Sequence, residues 1–154
     1  MKLIKPNSKD QTIDGISIFL AGSIEMGIAE DWQSKIVNTL KDREVTILNP
    51  RRDDWDSSWV QEQSNPQFNH QVNWELNSLD RAHTIFMYFS PETKSPISLL
   101  ELGRYIIDGN MIVCCPEGFW RKGNVDIMCT RHNTPLFNNF DDAVGALLTK
   151  IANY

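Results

Sequence analysis

Thr84-Ile-Phe-Met-Tyr-Phe89, followed by Ser95-Pro-Ile-Ser-Leu-Leu-Glu-Leu-Gly103, is the stretch whose reading sets the fold. The first run is apolar and strand-like; the second opens a helix that extends to Asp108 and closes at Gly109. A strand that feeds a helix in this way places Glu101 just beyond the carboxyl end of the strand, where open α/β sheets bind their ligands. An acid early in a helix also complements the helix dipole. Glu101, however, lies among Leu99, Leu100 and Leu102. It is either the edge of a solvated face or an acid in a pocket.

Outward from this unit, strands and helices alternate. Ile16–Ala21 reads as a buried strand, with a small-residue turn after it at Gly22-Ser-Ile-Glu-Met-Gly27. A helix from about Ala29 to Lys41 places Trp32, Ile36, Val37 and Leu40 on one stripe. Val45–Leu48 is a second strand, stopped by Asn49-Pro50. Arg51-Arg-Asp-Asp-Trp-Asp-Ser-Ser-Trp59 has no period and reads as a long loop. A helix pattern returns from about Asn69 to Arg81; Met111–Cys115 is a further strand; Phe140–Ala152 is a last helix. Edge segments are expected near Val125–Cys129 and Pro135–Phe137. This alternation predicts an α/β fold: a single flavodoxin-like, Rossmann-like doubly wound domain over 15–154, with a mostly parallel five-stranded sheet and helices on both faces. Residues 1–14 are expected to be a flexible lead-in. The ligand crevice then falls among loops 22–27, 49–66, 90–98 and 116–124.

Bulk properties narrow the function. With 154 residues, 41% hydrophobic and 23% charged, the chain has the makings of one globular domain. A net charge of −5 disfavours a nucleic-acid polymer as partner. There is no apolar run of membrane-spanning length and no signal-peptide pattern, so a cytoplasmic protein is expected. Three cysteines, two of them adjacent at Cys114-Cys115, fit buried thiols better than a disulfide framework. No Cys/His spacing suggests a metal site.

The candidate functional residues converge on one sheet edge. Gly22 and Ser23 offer backbone N–H groups and a hydroxyl at a helix entry, although the glycines do not form a dinucleotide fingerprint. Asn49, Arg51, Asp53 and Trp55 follow the second strand; the indole suits stacking on a planar base, and the polar side chains suit its edge. Ser95 and Ser98 belong to the Glu101 unit. Glu75 is on the helix before the Thr84 strand, and two carboxylates in different environments are the usual equipment for cleaving a glycosidic bond. His83 reads as a satisfied helix-end histidine.

The combination of Phe19-Leu-Ala-Gly-Ser-Ile24, Asn49-Pro-Arg-Arg52, Trp74-Glu75, Ser95–Gly103 and Gly118-Phe-Trp-Arg-Lys-Gly-Asn-Val125 resembles the nucleoside 2-deoxyribosyltransferase superfamily, in its deoxyribosyltransferase-like branch, over about residues 16–145. The resemblance implies a double displacement in which Glu101 attacks C1′ of a 2′-deoxyribose and Glu75 manages the proton of the departing base. It implies no cofactor, a small-molecule nucleoside or nucleotide as partner, a homo-oligomer, and a sugar contact from Asn124. Phe19 stands where the family usually has a Tyr, and Ser95 where the transferases have an Asp. Ser95 matches the related 2′-deoxynucleoside 5′-monophosphate N-glycosidases, whereas Glu25 replaces an Arg of those hydrolases. Three readings therefore stay open: a transferase or hydrolase on deoxynucleosides or their monophosphates, a catalytically silent nucleotide-binding module, and an N-glycosidase of a larger nucleotide such as NAD.

Overall fold

The computed structural model describes residues 1–24, 29–52 and 58–154. Asp53 and Trp55, expected at the substrate, and Glu25 lie outside the described residues. The elements run β1 (Lys2–Ile4), β2 (Ile16–Gly22), α1 (Trp32–Leu40), β3 (Val45–Leu48), α2 (Pro66–Arg81), β4 (Thr84–Tyr88), α3 (Pro96–Tyr105, continued by a 3-10 turn Ile106–Asp108), β5 (Met111–Cys114), α4 (Lys122–Arg131), β6 (Leu136–Phe137) and α5 (Phe140–Ala152). The described strands form one sheet in the order β1-β3-β2-β4-β5-β6, and every neighbouring pair is parallel. Without β1 this is the flavodoxin order, with its switch point between β2 and β4.

The sheet has six strands, not the five expected from sequence, because residues 1–14 do not form the expected flexible lead-in. Lys2–Ile4 pairs with β3 in register Lys2↔Thr46 to Ile4↔Leu48, and Ile4 is buried. Lys2 ties the following segment back through Asp10 at 2.8 Å and Asp14 at 2.9 Å. Gln11 accepts a hydrogen bond from the Trp74 indole at 2.8 Å. Three residues carry too little pattern to be read as a strand; their partner strand supplies the reason they form one.

Residues 125–129 are also not an edge segment. Val125, Ile127 and Cys129 alternate as a strand would, but they belong to α4, in which Val125 and Cys129, four apart, are buried and Ile127 is 69% exposed. The 3.6-residue period decides, not the alternation.

Side chains alternate across the buried strands. Ile18, Leu20, Phe86 and Tyr88 pack with Trp32 of α1 and Leu147 of α5 on one face. Phe19, Ala21, Met87 and Phe89 pack with Leu79 of α2, Leu102 of α3 and Val125 of α4 on the other. Adjacent Cys114 and Cys115 thus enter different cores, and all three thiols are free and buried. Helix ends are fixed locally: Asn65 caps Gln67 and Phe68 with Pro66 at the first position, and Asn139 caps Asp141 and Asp142. Among the described residues no helix is long and apolar enough to cross a membrane.

Candidate active site

At the switch point, β2 ends on Gly22, whose φ is +131°. A Cβ there would meet the Tyr88 carbonyl oxygen and, at 2.7 Å, the Tyr88 nitrogen, so only glycine lets β2 and β4 run this close at their carboxyl ends. The next residue, Ser23, donates its N–H to the Tyr88 carbonyl (2.9 Å) and turns its hydroxyl under the β4–α3 loop. There the Ser90 N–H donates to Ser23 Oγ at 2.8 Å. Ser23, Thr93 and Ser95 form a triangle of hydroxyls with sides of 2.8, 2.6 and 2.7 Å. Thr93 also bonds the Ser90 carbonyl at 2.9 Å. All three residues are buried.

Ser95 is the residue before α3 and takes a left-handed conformation (φ 46°, ψ 52°) with no side-chain cap on the helix. A non-glycine residue held there is locally strained. The triangle, together with Pro96 at the first helical position, sets the angle at which α3 leaves the loop. Ser23 and Ser95, both expected at the substrate, are therefore brought together, and their hydroxyls face each other and Thr93. Thr93 was not singled out in the sequence, where nothing but its place between two candidates marks it.

Glu101 occurs on the inward side of α3, one turn after Ser98; both are buried, Glu101 to 9% exposure. The Glu101 carboxylate has no hydrogen bond to a described residue. Burial first, and the negative charge of Glu75 second, push its pKa up from 4.5 to about 8. Glu75 lies on α2, half-buried against the same face of the sheet. Burial pushes its pKa up to about 7, opposed by a hydrogen bond from Gln71. That bond, Gln71 Nε2 to Glu75 Oε1, is 2.7 Å long, and the same Nε2 donates to the Pro50 carbonyl at 3.1 Å. The two acids named from the sequence, on α2 and α3, thus lie near enough for the charge of Glu75 to act on Glu101, in surroundings that disfavour two negative charges at neutral pH. Gln71 was missed, although its place four residues before Glu75 puts it one turn away on the same helix face.

The other expected residues are placed as follows. Phe19 is 1% exposed and its ring lies 6.2 Å from that of Trp74, so it backs the helix turn that carries Glu75. Asn49 is buried; its Oδ1 accepts the Arg51 N–H at 3.0 Å, and its own N–H reaches the Ile4 carbonyl at 2.9 Å. Arg51 points toward α1, to the Glu30 carbonyl and Gln33 Oε1 at 3.3 Å each and to Asp31 at 3.8 Å. Asn124 is exposed in the first turn of α4, and no hydrogen bond or ion pair links it to the acid pair among the described residues. His83 is at the opposite edge of the sheet, with Nδ1 2.9 Å from the Ser17 hydroxyl, in keeping with a satisfied histidine outside the site.

A family model described as nucleoside 2-deoxyribosyltransferase like matches residues 15–119, from the start of β2 through the loop after β5. The chain belongs to the nucleoside 2-deoxyribosyltransferase-like family. The matched span holds the acid pair, the hydroxyl triangle, Gly22, Asn49 and Arg51, and leaves Asn124 and α5 outside. A search of curated proteins finds no match.

Proposed function

We propose that the chain cleaves the N-glycosidic bond of a 2′-deoxyribonucleoside or its 5′-monophosphate through a covalent ester on Glu101. The observation that carries this reading is the pair of carboxylates on α2 and α3, Glu75 half-buried and Glu101 buried, both with raised pKa values. One proton shared by such a pair leaves one carboxylate to attack and one acid to donate. Glu101, as carboxylate, forms a bond to C1′ as the C1′–N bond breaks. The bond's electron pair goes to the base nitrogen, and Glu75 gives the base its proton, directly or through a water. In the second half water attacks C1′, loses its proton to Glu75, and frees Glu101; a second base in place of water completes a transfer. Glu101 needs no hydrogen-bond partner that competes for its lone pairs, and it has none among the described residues. Burial raises the energy of the free carboxylate, which favours ester formation.

The test is chromatography of each deoxynucleoside and each monophosphate incubated with the protein, with and without a second free base, beside Glu101→Gln. Base release by the wild type that falls at least about 10³-fold in Glu101→Gln supports the mechanism. Release that survives the substitution refutes it. A new nucleoside formed only with the second base present marks a transferase; free base without exchange marks a hydrolase. A second reading, a binding module without turnover, draws on the inward-turned hydroxyls of Ser23 and Ser95 and on the missing hydroxyl at Phe19. Saturable nucleotide binding with no base released over long incubation favours it.

A further inference from the structure

Gln71 is 4% exposed, and its amide is used on one side only. Nε2 donates twice, to the Pro50 carbonyl and to Glu75 Oε1, while Oε1 is buried without a hydrogen-bond partner among the described residues. The amide cannot be turned over. A carbonyl accepts only, so the group that faces Pro50 must be the NH2, and the same NH2 must then face Glu75. An unsatisfied buried acceptor costs about 1–3 kcal/mol. The fold tolerates this cost at a residue whose visible work is to join the β3–α2 loop to an acid of the proposed site.

We propose that Gln71 is the positioning residue of the acid pair: by donating to Glu75 Oε1 it fixes that carboxylate, reserves Oε2 for the proton, and sets which of Glu75 and Glu101 carries the charge. The assignment rests on the proposed glycosidic reading for its consequence in turnover, but not for the proton placement itself. Oε1 is an acceptor whether Glu75 is charged or neutral, so the bond to Gln71 persists through both states. A proton can then reside only on Oε2. Donation to the charged form favours the charge on Glu75 in the free protein, with the shared proton on Glu101, to which no described residue donates. For attack that proton passes to Oε2 of Glu75, the oxygen Gln71 leaves free, and Glu101 becomes the carboxylate. Glu101 is the titratable group that faces Glu75 from α3. Tyr105, one turn beyond Glu101 and within reach of its charge, is engaged with Asp80 at 3.0 Å, and Arg104 pairs with Asp80 at 3.8 Å and Asp108 at 3.5 Å. Phe19 of the sheet packs on Trp74, the residue before Glu75, and the β3–α2 loop contributes the Pro50 carbonyl.

The proposal predicts a reciprocal change. In Gln71→Met, which keeps the length and removes the donor, the Glu75 midpoint moves up and the Glu101 midpoint moves down, because a neutral Glu75 no longer opposes the ionisation of Glu101. Carbon-13 NMR of side-chain carboxyl groups in the full chain reads both midpoints, with Glu75→Gln and Glu101→Gln assigning them. Gln71→Asn, too short to reach both partners, must give the same reciprocal change and serves if the Met variant does not fold. Midpoints that stay where they are overturn the proposal. Midpoints that rise together also overturn it, because that is the signature of altered burial alone. In an active enzyme, kcat falls about tenfold with KM changed less than about twofold, because the Glu75 carboxyl that gives the base its proton is no longer held in place, a loss that outweighs the easier ionisation of Glu101. If the wild type releases no base from any substrate, the glycosidic reading fails while the two midpoints still decide the role of Gln71.

Discussion

Replacing Glu101 by Gln should make the protein more stable, and the gain should grow with pH. The Glu101 carboxyl titrates at 4.5 when exposed and at about 8 in the fold. Between these values the folded chain holds a proton that the unfolded chain releases, so raising the pH favours unfolding. The slope is at most ~1.4 kcal/mol per pH unit for one such group. The contribution is therefore neutral below pH 4.5, grows steadily through the window, and levels off above about pH 8. A glutamine side chain of the same shape carries no such penalty. From pH 5.5 to 7.5 the stability difference between Glu101→Gln and wild type should widen by up to ~2.7 kcal/mol. At about 2–4 °C per kcal/mol for a chain of this size, this is roughly 5–10 °C in the difference of melting temperatures. Calorimetry or urea titration at half-unit pH steps measures it. The direction is the reverse of what acids in salt bridges give: those stabilise as pH rises. A Glu101→Gln protein that is less stable than wild type at pH 7.5, or a gap that does not change between pH 5.5 and 7.5, would show that Glu101 is solvated or paired with a cation, and the argument for a pocket acid would fall.

Two further outcomes follow from the same geometry. If one proton must be shared by Glu75 and Glu101, kcat/KM should describe a narrow bell with its maximum between the two midpoints, about 7 and about 8; a flat profile from pH 6 to 9 would refute the shared-proton scheme, and Glu75→Gln should remove one limb. Gly22→Ala drives a methyl group into the Tyr88 backbone at a φ of +131°, and should cost at least about 3 kcal/mol or prevent folding; a melting temperature within a few degrees of wild type would mean that β2 and β4 can part at the switch point without penalty.

The elements that could be read from the chain are those whose burial pattern and end signals agree. Thr84–Phe89 is continuously apolar and bounded by polar residues, and β4 occupies Thr84–Tyr88. Phe140–Ala152 begins behind an Asn cap with two acids in its first turn, and α5 has those ends. Where local pattern and tertiary context disagree, the reading departs from the structure. Lys2–Ile4 is a strand only because β3 presents an unpaired edge to it, a long-range fact invisible in three residues. Val125–Cys129 mimics a strand because Ile127, though apolar, is on the solvent side of a helix. The site divides in the same way. Glu101 and Glu75 stand out as acids among apolar neighbours, and in the structure the charge of Glu75 acts on Glu101. Arg51 carries the right chemistry for an anion but is aimed at α1 by partners that no sequence spacing reveals. Gln71 and Thr93 act through side chains of other residues, and residues of that kind have no signature of their own.

The alternation of the strands has a practical consequence for anyone who would alter this protein. The sheet acts as a partition between two rooms that share a wall but no furniture. In one, Trp32, Phe86, Tyr88 and Phe140 form a cluster of rings 5.2 to 6.4 Å apart. In the other, Glu75, Gln71 and Glu101 hold the proposed chemistry on α2 and α3. Neighbouring residues such as Phe86 and Met87 answer to different tenants. Stabilising changes can therefore be sought behind α1 and α5, while substrate preference is varied in front of α2 and α3, and the two campaigns should combine with little mutual interference.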